Sequence, residues 1–184
     1  DGTFCAGADL SEVSKGRGHL LVTEDGGMAG FVYADRKKPW IAAVRGNALA
    51  GGCEMALACD MIVASDNSVF GLPEVKRGLF AAAGGVLRLA KRLPRNIALE
   101  LLATGDPLPA ERAYHFGLVN RMVPLAEVVP AALKLAREIA CNAPISVRES
   151  LRVARMAQER PESEIRPIAD KASAEVFTSE DAKE

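Results

Sequence analysis

A chain of 184 residues with a net charge of −1 has no basic excess with which to neutralise phosphates, which argues against sequence-independent nucleic-acid binding. Its 49% hydrophobic and 26% charged residues are the balance of a globular protein with one sizeable core. It has neither an apolar run of membrane length nor a signal-peptide pattern, so no membrane partner is expected and a cytoplasmic location is.

In chain order, the first ten residues read as the end of a strand running into a small-residue turn, Ala6-Gly7-Ala8-Asp9. Residues 11–33 are polar and punctuated by glycine, with helix predicted from about Leu20. Trp40-Ile41-Ala42-Ala43-Val44 is a continuous apolar run, the pattern of a strand buried on both faces. A Gly-rich turn is predicted over 46–52 and a helix over 53–59. Residues 61–64 form a second buried strand and 65–67 a turn, and Val69-Phe70 is a further short strand. Helices are predicted over 84–93, 96–103 and 110–116, the last stopped by Gly117. Residues 118–123 are strand-like and end at Pro124. Apolar residues at helical spacing (Val128, Ala132, Leu135, Ala136, Ile139) and a second helix from Ser146 make the tail all-helical. Strand, turn and helix in alternation predict an α/β core with parallel pairing over 1–125, followed by a helical segment over 126–184.

The four cysteines (Cys5, Cys53, Cys59, Cys141) show no CxxC spacing and sit mostly beside small apolar residues. They are expected to be buried thiols in a reducing compartment, not a disulfide or zinc framework. Lysines and arginines cluster at 36–38 and 88–95, each read as a solvated face or as steering for a phosphate-bearing ligand. No dinucleotide or P-loop glycine motif, nucleophile elbow or metal-ligand spacing is present, and no metal is expected.

Three features converge on one chemistry. The first is the turn 6–9 after a strand. The second is Ala50-Gly51-Gly52-Cys53-Glu54, where a strand turns through glycines into a helix. Amides at a helix start lack intrahelical partners and lie at the positive end of the dipole, which suits a developing oxyanion. Glu54, three residues after Gly51, shares its side of the helix. The third is Glu74 after Gly71-Leu72-Pro73, positioned to reach the same cleft from another strand end. Each feature also has a plain structural explanation. Paired glycines serve tight packing, and glutamates in first helical turns complement the dipole.

Taken together, the blocks 4–10, 41–46, 50–54, Cys59-Asp60 and 70–74 resemble the enoyl-CoA hydratase/isomerase (crotonase) superfamily. Gly84-Gly85, Arg88-Leu89, 102–105 and 113–119 resemble its later blocks. The resemblance implies a crotonase-like ββα spiral core with a helical C-terminal segment that supports homotrimers or homohexamers. It implies an acyl-CoA substrate, coenzyme A being part of that substrate and no separate cofactor being required. By the same resemblance, the amides of Ala8 and Gly51 form the oxyanion hole and Ala6, Asp9 and Leu10 line the CoA moiety. Glu54 and Glu74 match the two glutamates of hydratases, which points to hydration of a 2-enoyl-CoA. The alternatives are another reaction of the superfamily, such as double-bond isomerisation or hydration of an aromatic or steroidal acyl-CoA, and a non-catalytic acyl-CoA-binding paralogue. Ala82 stands where hydratases commonly have a glycine, and is expected to reshape the acyl pocket. The chain opens at Asp1 without a methionine and stops at Glu184 without a recognisable cap, so segments at both ends are expected to be absent from this sequence.

Overall fold

The computed structural model describes residues 2–182, and the chain divides into two compact units. One comprises Asp1–Asp35 with Trp40–Ala132, and the other Arg36–Pro39 with Leu133–Glu184. Among the described residues no helix is long and apolar enough to cross a membrane.

The larger unit opens with β1 (Thr3–Cys5), after which Asp9 caps the short helix α1 (Leu10–Glu12). A π-helical turn (Val13–Arg17), a 3-10 turn (Gly18–Leu21) and a two-stranded hairpin of β2 (Val22–Thr23) and β3 (Gly27–Met28) follow. The helix predicted from Leu20 is therefore corrected: helical turns end at Leu21, and the glycines beyond it serve the hairpin. Next come β4 (Ile41–Val44), β5 (Asn47–Leu49), α2 (Gly51–Ala58), β6 (Met61–Ser65), β7 (Val69–Gly71) and a 3-10 turn over Pro73–Arg77. Then follow α3 (Gly85–Arg92), α4 (Arg95–Thr104), β8 (Leu108–Pro109), α5 (Ala110–His115) and β9 (Arg121–Val123).

Two sheets organise this unit. One runs β1-β5-β7-β8, parallel except for the last pair, and the other runs β4-β6-β9, all parallel. Ile62, Val63 and Ala64 of β6 are wholly buried, as a continuous apolar run in a central parallel strand requires. In β4 only Ala42 and Val44 are buried, so one face is less covered than the apolar run suggests. Asn47–Leu49 lies inside the predicted Gly-rich turn yet forms β5. Its backbone is laddered on both sides, by β1 and β7, and this pairing outweighs its weak strand composition. The strand expected over 118–123 is confined to Arg121–Val123, and Asn120, just before it, bonds Ile62 of β6 twice. Its amide donates to the Ile62 carbonyl and its Oδ1 accepts the Ile62 amide, each at 2.8 Å. Phe70, Leu57, Ile62 and Leu108 are the largest fully buried side chains and fill the core between these elements.

Helix α6 (Val128–Ala140) passes from the first unit into the second, which holds α7 (Pro144–Ala157) and α8 (Glu162–Phe177) packed along each other. Glu149 is buried there with Arg152 at 2.6 Å and Arg148 at 3.1 Å. These guanidinium groups hold its carboxyl below the usual range, as a buried charge with paired partners requires. Cys141, expected to be buried, is exposed beyond the end of α6, whereas Cys53 and Cys59 are buried.

Candidate active site

The site is assembled by three neighbouring strands of one sheet. β1, β5 and β7 are parallel, so the chain leaves all three at the same edge. It leaves β1 into the turn 6–9, β5 through Ala50 into α2, and β7 through Leu72 into the turn that carries Glu74. The three exits surround one cavity of about 630 Å³, lined by Ala6, Ala8, Gly51, Glu54 and Glu74 among others. The strand β6, between them in sequence, belongs to the other sheet, which is how two glutamates twenty residues apart by number come to share a wall.

The two glycines of the pair have different surroundings. A Cβ on Gly52 would overlap the Cys5 carbonyl, so Gly52 is a packing residue that lets α2 lie against β1. Gly51 lines the cavity. Ala50, the residue before α2, has φ 50° and ψ −128°, a conformation that costs a non-glycine residue about 1–3 kcal/mol and that gathers at functional sites. It is held there by its amide on the Gly71 carbonyl at 2.9 Å and by its carbonyl on the Glu54 amide at 3.0 Å. Ala50 at the N-cap position of α2 makes no side-chain cap bond to the amides of the first turn.

The two carboxyl groups are held differently. Glu54 is only 3% exposed, and its Oε1 accepts the Gly85 amide at 2.9 Å. Burial pushes its pKa above the ordinary value, while the backbone of Gly85 and Ala83 and the charge of Arg88 pull against that rise. Glu74 has a buried Oε2 with no hydrogen-bond partner among the described residues. Its pKa is raised by burial first and then by the neighbouring Glu54 charge, with only its own backbone opposing. Both carboxyl groups are thus raised by burial, and only Glu54 has a backbone amide from another segment on its carboxyl group. Cys53, also buried, has its thiol pushed up to about 12 by burial, which leaves it no nucleophile.

The remaining wall is apolar. Leu10, Val13, Val22, Tyr33, Leu79 and Phe80 are between 43% and 71% exposed, and all six line the cavity. Large apolar side chains gathered on a concave surface mark a binding site for an apolar group. Leu10 and Ala82 lie on this wall. Asp9 is outside the lining: it is exposed, and its Oδ1 accepts the Ser11 amide at 2.8 Å as the cap of α1. Of the basic residues, Lys76 is paired with Asp106 at 2.6 Å, and Arg77 reaches the cavity. Among the described residues no three of His, Cys, Asp or Glu gather where a metal ion could be held.

Sequence reasoning missed Met28 and Tyr33, because residues beyond Leu20 read as helix, not hairpin. It also missed the internal bonding of Arg88 and Arg92, which it read as part of a solvated face or of a phosphate-steering cluster. Both are partly buried, Arg92 donating to the Cys59 carbonyl at 2.6 Å and Arg88 to the carbonyls of Ala83 and Val32. Arg88 standing one helical turn after Gly84-Gly85 is the only sequence cue to that role.

Three comparisons bear on this geometry. A family model described as enoyl-CoA hydratase/isomerase matches residues 1–184. The carnitinyl-CoA dehydratase of Proteus mirabilis is 43% identical over 157 residues, which are 85% of this chain, and the chain spans 60% of that relative's length. The crystal structure of an enoyl-CoA hydratase from Mycobacterium tuberculosis matches all of this chain with a TM-score of 0.93 at 47% identity, the match covering 72% of that chain. A carnitinyl-CoA hydratase from Mycobacterium avium matches with a TM-score of 0.79 at 48% identity, again over all of this chain and 72% of its own.

Proposed function

The chain belongs to the enoyl-CoA hydratase/isomerase family and has the crotonase fold, and from that premise we propose that it hydrates the 2,3 double bond of a 2-enoyl-CoA thioester. The thioester oxygen sits against the amides of Ala8 and Gly51, which take up the negative charge that develops as the enolate forms. In other enzymes one such donor is worth about 3–4 kcal/mol. Glu54, its Oε1 anchored by the Gly85 amide, takes a proton from water as the water adds to the β-carbon. Glu74, protonated, supplies the proton at the α-carbon. The reverse reaction removes water by the same two groups.

The observation that carries this reading is the unequal treatment of two carboxyl groups in one cavity: the Gly85 amide donates to Glu54, and among the described residues nothing donates to the buried Oε2 of Glu74. An acid and a base pair set apart by environment is the pattern of general acid–base catalysis. The test is hydration of crotonyl-CoA, followed by loss of the conjugated enoyl-thioester absorbance. Turnover supports the reading, and tight CoA-ester binding without turnover supports a non-catalytic paralogue.

Two relatives are named for carnitinyl-CoA, an ester whose acyl group ends in a quaternary ammonium. The lining holds both kinds of group: Arg77 is a cation, while Tyr33, Phe80 and the two carboxyl groups offer an ammonium aromatic faces and negative charge. Rates on crotonyl-CoA and on its trimethylammonium analogue decide the point. We further infer a cytoplasmic enzyme of acyl-CoA degradation, assembled as a homotrimer or homohexamer through its helical segment, as the family resemblance implies. Light scattering on the purified protein tests the assembly.

A further inference from the structure

We propose that Arg88 is a positioning residue for Glu54, fastening the loop that holds its carboxylate to the segment that carries Tyr33 into the cavity wall. Arg88 is not itself a lining residue. It stands in the first turn of α3, its amide bonded to the Gly84 carbonyl at 3.0 Å. Its Nη1 donates to the Ala83 carbonyl at 2.9 Å and its Nη2 to the Val32 carbonyl at 2.5 Å. The guanidinium carbon lies 5.1 Å over the Tyr33 ring. One planar fork thus joins two chain segments 51 positions apart by number, and both of them border the cavity through Tyr33 and Ala83.

The loop is the one that aims Glu54. Ala83, fixed by Arg88, is two residues before Gly85, whose amide holds Glu54 Oε1 at 2.9 Å. Gly84, between them, has φ 94°, and a Cβ there would run into the Arg88 guanidinium and stand 3.2 Å from the Tyr33 hydroxyl. The loop, the guanidinium and the tyrosine are therefore packed without slack. Lysine, with a single ammonium, cannot reproduce a fork that bonds two carbonyls in different directions. The ionisable groups facing Glu54 are Arg88 from α3, Glu74 from the 3-10 turn and Cys53 beside it on α2. Arg88 is the cation among them, so its removal also leaves Glu54 harder to ionise.

This inference rests on the reading of Glu54 as a catalytic base, and the experiment separates the two. Hydration of crotonyl-CoA is measured over pH for the parent, Glu54→Gln, Arg88→Lys and Arg88→Met, with thermal melting to confirm folding. The expected result is a fall in kcat of about 10²-fold for both Arg88 variants with KM little changed, the loss typical of a misplaced catalytic group. The acid limb moves to higher pH in Arg88→Met and stays in place in Arg88→Lys, which keeps the charge. If Arg88→Met does not fold, Arg88→Lys decides: a lowered kcat at parental KM supports the role, and a parental kcat overturns it. Arg88 variants that keep kcat, or that lose only KM, while Glu54→Gln is inactive overturn the positioning role alone. Parental activity in Glu54→Gln overturns the assignment of Glu54, and this inference with it.

Discussion

The Gly85 amide donates to Glu54 Oε1 at 2.9 Å, joining residues 31 positions apart and anchoring one oxygen of a carboxylate that is almost wholly buried. Its neighbour Glu74 has no partner on Oε2 among the described residues, and burial raises its pKa as well.

This arrangement predicts a bell-shaped pH dependence of hydration. Activity falls in acid as Glu54 is protonated, and that limb lies above the ordinary carboxylate range because burial raises its pKa. Activity falls in alkali as Glu74 loses its proton, again at a raised value. The limbs belong to the coupled pair. A profile of kcat/KM on crotonyl-CoA checks this; an acid limb at or below the ordinary value of about 4.3 contradicts it.

Glu74 also makes folding stability depend on pH. Its folded pKa lies above the unfolded one, so between the two values the folded state keeps a proton that the unfolded state has released. Stability is therefore lost as pH rises through that window and stays lower above it. Glu54, also raised by burial, contributes a slope of the same sign, so Glu74→Gln reduces the slope without removing it. The variant is expected to be more stable than the parent at pH 8, a difference that shrinks towards pH 4. Chemical denaturation at the two pH values measures it.

The glycine pair predicts two different failures. Gly52→Ala drives a Cβ into the Cys5 carbonyl, which is backbone and cannot move aside, so it unfolds the protein or costs about 3 kcal/mol. Gly51→Ala meets the Met28 thioether at 2.8 Å, a flexible side chain. It is expected to keep the fold and to lose activity, because the added methyl fills the cavity beside the amide. Melting temperatures and rates of the two variants separate the cases.

Thiol accessibility follows burial. In the native protein an alkylating reagent is expected to modify Cys141 and to spare Cys53 and Cys59, with all of them reacting after denaturation. Mass spectrometry of tryptic peptides reads this directly.

Much of the fold was legible in the sequence because continuous apolar runs such as Ile62-Val63-Ala64 allow little but a central parallel strand. The order of strand and helix then placed Gly51, Glu54 and Glu74 near strand ends, and the resemblance supplied the roles. What composition hides is pairing. Asn47–Leu49 is a strand because β1 and β7 flank it, and residues 22–28 form a hairpin although nothing in their composition demands one. Arg88 was illegible for a related reason: two carbonyls from distant segments make it an internal tether, and carbonyls carry no sequence signature. Asp9, conspicuous in the sequence, caps a helix, a role the sequence reading did not give it.

The most direct measurement is single-turnover hydration of crotonyl-CoA by Glu54→Gln and Glu74→Gln, each with its CoA-ester affinity measured alongside. Both variants are expected to bind the ester as the parent does and to hydrate it at least about 10²-fold more slowly, the contribution of a general acid or base. Either variant turning over at the parental rate contradicts the assignment of these two carboxyl groups.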